Sequence, residues 1–231
     1  MSRGFQPLRG SYVAKLDAAE ARLVRGLATD VLELLNERVE ETEGRLLSDA
    51  PLVAEGQEVV TPWWEELGLS NSDLAGAMDD AATEGEAAAS PVPRRRARPD
   101  DPALARLLPD MVAEGHADDG EAERMRALTE PGLLSSKREA LIEAAGILQG
   151  TPVTVPADAA PRFAAALNDI RLVLAQRLGI ETAEDAERIH EAEEPEDGDD
   201  ADEVAFYLGR LYEYVSWLQE SLMNAMMRRR H

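Results

Sequence analysis

No cysteine occurs anywhere in the 231 residues. That removes disulfide frameworks, thiolate zinc sites, iron–sulfur clusters and thiol nucleophiles, and thiol redox sensing with them. Aromatic residues make up only 4%. Strands draw on β-branched and aromatic side chains, so an apolar fraction dominated by Ala and Leu favours helix. Basic residues are outnumbered, 24 Lys+Arg against 46 Asp+Glu, for a formal charge of −22. A surface this acidic repels nucleic-acid phosphates and anionic lipid, which argues against direct DNA binding and favours protein partners with basic surfaces. No stretch approaches the roughly 20 apolar residues that span a bilayer. The opening Met1–Pro7 lacks the apolar core of a signal peptide, so a cytoplasmic chain is expected.

Chemistry-bearing motifs are equally sparse. The three histidines, His116, His190 and His231, are not spaced to share a metal. His190 with Glu187, Glu191 and Glu194 reads as a solvated acidic face. There is no G-x-S-x-G elbow, no S-x-x-K box and no glycine-rich phosphate loop after a strand. The expectation is therefore a protein that is not an enzyme and uses neither metal nor cofactor.

What is present is helical patterning. Hydrophobic residues reach 44%, enough for a sizeable core. Residues 3–16 read as an extended entry or small hairpin turning at Gly10-Ser11. Asp17 and Glu20 form a capping box that opens a helix to about Gly44, with Leu23, Leu27, Val31, Leu34 and Leu35 as its apolar stripe. Thr61-Pro62 opens a short helix carrying Trp63 and Trp64. This adjacent pair either covers the core or anchors a partner. Residues 76–100, including the Arg94–Arg98 cluster, read as a disordered linker.

Beyond it, Asp101-Pro102 starts a helix, and two more are expected over 120–129 and 133–148. Val153-Thr154-Val155 reads as an extended link. A further helix over 158–178 is capped by Asp158, has the stripe Phe163, Leu167, Ile170, Leu174 and Leu178, and ends at Gly179. Residues 181–203 carry thirteen acidic residues and a single basic one, and read as an acidic loop. A last helix over 202–228 repeats Val204, Leu208, Leu211, Val215, Leu218, Leu222 and Ala225 as a heptad seam. Such a seam serves either burial within the chain or a homodimer. The fold class is mainly all-α, a bundle of about five to six helices with a short extended or hairpin N-terminal segment. Its organisation is 1–75, linker 76–100, and 101–231.

Three segments carry a family resemblance: Arg126–Glu130, Ala166–Leu174 with Arg177–Ile180, and Trp217–Leu222. With the Arg3-Gly4-Phe5 opening and the acidic loop, they resemble the actinobacterial oxidative-stress regulator (AosR-like) family, whose genes often neighbour that of the Clp protease adaptor ClpS. The resemblance covers most of 1–45 and 102–231. It implies a stress-related regulator that acts on transcription through a sigma factor or RNA polymerase. An accessory role in Clp-dependent proteolysis is the alternative, suggested by the gene neighbourhood. The thiol sensing attributed to the namesake branch cannot carry over to a chain without cysteine. Within the resembling segments, Asn168, Asp169, Arg171, Trp217, Gln219 and Glu220 are the candidate interaction residues, joined by Trp63 and Trp64 from the middle of the chain. For Trp217 and Asp169, packing of the bundle competes with partner contact.

Overall fold

A computed structural model describes residues 3–48, 95–111, 119–192 and 200–228. Residues 1–43 and 94–231 form one compact unit, from which 44–93 are separate. The elements in chain order are β1 (Arg3–Leu8), β2 (Ser11–Lys15), α1 (Ala18–Ser48), α2 (Pro102–Leu107), α3 (Asp119–Ile147), β3 (Val153–Pro156), α4 (Ala160–Arg177), α5 (Ala183–Glu191) and α6 (Asp200–Arg228). The mainly helical class with an N-terminal hairpin is as expected from the sequence.

The hairpin turns one residue earlier than expected, at Arg9-Gly10. Both residues have positive φ, 34° and 92°, which matches the right-handed twist of the flanking strands. The 153–155 segment is a third strand, pairing antiparallel with β2 so that Val155 faces Tyr12. The small sheet has the order β1-β2-β3. Phe5 points from β1 into the core, edge-on to Phe163 of α4 at 5.9 Å.

Helix α4 is the hub. It packs against α2, α3 and α6, and α6 also lies along β1. Four of its buried positions are alanines, Ala160, Ala164, Ala166 and Ala175, which lets neighbouring backbones approach closely. Phe163, Leu167, Ile170 and Leu174 are buried as the stripe predicted. On α6, Leu211, Val215, Leu218, Leu222 and Ala225 are buried within the chain, whereas Val204 at the head of the seam is exposed.

Several local expectations are displaced. The buried seam of α1 is Ala21, Val24, Ala28, Val31 and Leu35, with Leu23, Leu27 and Leu34 flanking it. The two helices expected over 120–148 are one, α3, which runs through Pro131. Pro131 and Gly132 are exposed while Glu130 and Leu134 are buried. Packing on either side of the proline holds one helix and outweighs the lost backbone bond. Asp158 does not cap α4, whose N-cap is Ala159 without a side-chain bond. Part of the stretch expected to be an acidic loop is helix α5, closed by a capping box between Thr182 and Asp185.

Candidate functional site

The polar residues singled out on α4 divide into a joint and a surface. Asp169 is 3% exposed and accepts a bond from Lys137 Nζ at 2.6 Å, tying α4 to α3. Burial pushes its carboxyl above the usual carboxylate range, with Lys137 pulling the other way. Asp169 is thus an internal tie. Asn168, beside it, is half-buried.

Arg171 lies two residues on, along the outer flank. Its Nη1 donates to Gln219 Oε1 at 3.0 Å, and its guanidinium lies over the Tyr212 ring, 6.0 Å from the centroid. Gln219 Nε2 donates in turn to the Ala164 carbonyl at 3.4 Å. Arg171 and Gln219 therefore form one bridge between α4 and α6.

That bridge is the wall of an open groove of about 550 Å3. From α5 come Ala186 and His190. Along α6 the lining steps through Tyr212, Glu213 and Ser216, then Trp217 and Glu220. Trp217 is 37% exposed, with its ring tilted 34° against Tyr214 at 5.7 Å. The Glu213 carboxylate accepts from Arg210 Nη1 at 2.6 Å and contacts His190 Nδ1. Arg210 lies over the Phe206 ring at 4.9 Å. Helix α5 is held against α6 by a close approach at Gly209, where an added Cβ would stand 2.8 Å from Ile189 Cγ2. The groove offers aromatic faces, one guanidinium and two carboxylates at the surface, which is chemistry for binding.

The structure thus gathers Arg171, Gln219, Trp217 and Glu220 at one place and assigns Asp169 to the core. Trp63 and Trp64 lie outside the described residues, as do His116 and His231. Tyr212, Glu213 and Phe206 were missed in the sequence. The signal was there: five of the chain's ten aromatic residues fall between Phe206 and Trp217. Among the described residues, no three acidic or histidine side chains converge to hold a metal. Also among them, no helix is long and apolar enough to cross a membrane.

The remaining resembling segments meet at two further joints. Gly4 sits under Trp217 and Ser221, a Cβ there falling 2.7 Å from Ser221 Cβ, and Phe5 N donates to Ser221 Oγ at 3.2 Å. On the other side, Arg38 is 1% exposed and Glu130 2%. Glu130 accepts from Arg38 Nε at 2.8 Å and from Arg96 Nη1 at 3.1 Å. Arg38 Nη2 also donates to the Ala97 carbonyl at 2.6 Å, and Arg126 Nη1 to that of Arg96 at 2.8 Å. Burial opposes the Arg38 charge, yet its bonds to Glu130 and Glu41 leave the pKa raised. Residues 96–97 are strapped by this network onto α1 and α3.

The model of a family described as a domain of unknown function, DUF2017, matches residues 2–226. No curated protein and no solved structure matches this chain.

Proposed function

The chain belongs to the DUF2017 family, and from that premise we propose that it is a non-enzymatic regulatory protein of the AosR-like kind. It acts on transcription by docking a sigma factor or a subunit of RNA polymerase. The observation that carries this reading is the groove between α5 and the α4–α6 pair. A half-exposed tryptophan, flanked by charged groups already held in place by Arg171–Gln219 and Arg210–Glu213, has the make-up of an interface anchor. The net charge of −22 adds long-range attraction to a basic partner surface. The resemblance of the 126–130, 166–180 and 217–222 segments supplies the stress-regulator context and the class of partner.

The test uses purified components. The chain is titrated against a purified stress sigma factor and against RNA polymerase core, at low and at high salt. The expected result is salt-sensitive binding to one of them, weakened roughly tenfold or more by Trp217→Ala, in line with a hot-spot residue. Failure of both to bind at low salt would sink the transcription role. Binding to a Clp unfoldase or to ClpS in the same assay would move the protein to the proteolytic adaptor role instead.

A further inference from the structure

We infer that the groove receives an arginine or lysine side chain from a basic partner segment, seated against the Trp217 indole with Glu220 as counter-charge. The inference rests on the docking reading above and narrows it to a recognition chemistry.

The surface of α6 already repeats this arrangement with the chain's own cations. Arg210 lies over Phe206 at 4.9 Å and donates to Glu213. Arg171 lies over Tyr212 at 6.0 Å and donates to Gln219. In both, a guanidinium lies over a ring and donates to a polar acceptor on α6. Trp217 lies on the same helix and is the strongest type of cation acceptor. Among the described residues no cation lies over it. Glu220 follows one turn later on the same face and is exposed.

Charge complementarity favours the same occupant. Helix α5, which forms one wall, carries Glu184, Asp185, Glu187 and Glu191 against Arg188, so the approach to the groove draws basic segments and repels acidic ones. Arg171 is the one cation in the lining that could select a carboxylate. It is committed to Gln219 and stacked on Tyr212, on the α4 side. A volume of about 550 Å3 leaves room for the flanking residues of a peptide as well as for the cationic side chain.

The test keeps the full chain. Trp63→Phe and Trp64→Phe leave Trp217 as the only tryptophan reporter. Short peptides rich in arginine, in lysine or in glutamate are then titrated by fluorescence and calorimetry. The basic peptides should bind and perturb Trp217 emission, and the glutamate peptide should not. Trp217→Ala should weaken basic-peptide binding roughly tenfold, and Glu220→Gln, at an exposed position, about threefold. Glu33→Gln on α1 removes the same charge away from the groove and should change little. Equal losses for Glu220→Gln and Glu33→Gln would overturn the inference, leaving only diffuse attraction. Binding of the glutamate peptide, abolished by Arg171→Ala, would overturn it too. Basic-peptide binding without any sigma factor or polymerase binding supports the groove chemistry while ending the transcription reading. Sigma factor binding untouched by Trp217→Ala and Glu220→Gln does the reverse.

Discussion

Arg38 and Glu130 show what a single residue contributes here. Each is essentially sealed from water, and they are joined at 2.8 Å. Removing Glu130 takes the sealed carboxylate from Arg38 and Arg96 and leaves Arg38 with Glu41 and the Ala97 carbonyl, which costs about 3 kcal/mol, the low end for breaking a buried pair. Glu130→Ala should therefore lower the free energy of unfolding by that amount in urea titrations. Replacing both Arg38 by Met and Glu130 by Leu should cost far less. A second residue-scale prediction concerns Asp101, which caps α2 by accepting from Ala103 N at 2.7 Å and Leu104 N at 3.0 Å and holds Arg177. Burial works against its charge, but these bonds leave its pKa below the ordinary 3.8. Its stabilisation is thus present above that value and fades as pH falls through the lower folded value. Asp101→Ala should cost about 1 kcal/mol at neutral pH, and the gap to the parent should close in acid. The caps Asp17–Glu20 and Asp101–Pro102 were legible in the sequence because a cap is a contact within four residues. Arg38 was not legible, since its partner lies 92 residues away.

Elements were read correctly where an apolar period ran long, as in α4 and α6, and less well where another force decided. On α1, Val31 and Leu35 of the expected stripe are buried, whereas Leu23, Leu27 and Leu34 flank a seam completed by Ala21, Val24 and Ala28. Close packing selects small side chains there, and a pattern search weights large ones. Helix α5 was hidden inside a run of acid. It buries no residue, but Ala183, Ala186 and Ile189 recur every three residues, and Thr182 with Asp185, three apart, marks its start. The Asp185 carboxyl, held by the backbone N–H groups of Thr182 and Glu181, is well below the usual range. The two tight crossings test the packing of elements. Gly209→Ala should lift α5 from α6, because Ile189 Cγ2 would stand 2.8 Å from the new methyl. Adding Ile189→Ala should restore the contact, which proteolysis around α5 can follow. Gly4→Ala should destabilise by about 1–3 kcal/mol through overpacking against Ser221, with partial rescue by Ser221→Gly.

At the scale of the whole molecule, the candidate site was half legible. Arg171, Trp217, Gln219 and Glu220 came from segments that resemble a family, but the meeting of Arg171, Trp217 and Glu220 in one groove, with Gln219 bonded to Arg171, is a product of α4 and α6 packing side by side. Helix α5, whose His190 forms the opposite wall, was expected to be loop. The strap at 96–97 has a consequence of another kind. Chain leaving along α1 and chain returning before α2 are fastened to each other at Arg38 and the Ala97 carbonyl, so the unit closes on itself before the intervening 44–93 are counted. Loop-closure entropy grows slowly, by about 0.6 kcal/mol for each doubling of length. Exchanging residues 44–93 for a short flexible linker should then leave cooperative thermal unfolding and basic-peptide binding in place. Loss of either would show that the segment is integral. If both persist, Arg38 and Ala97 mark a splice point, a socket into which sequence of almost any length can be set without the rest of the protein registering the change.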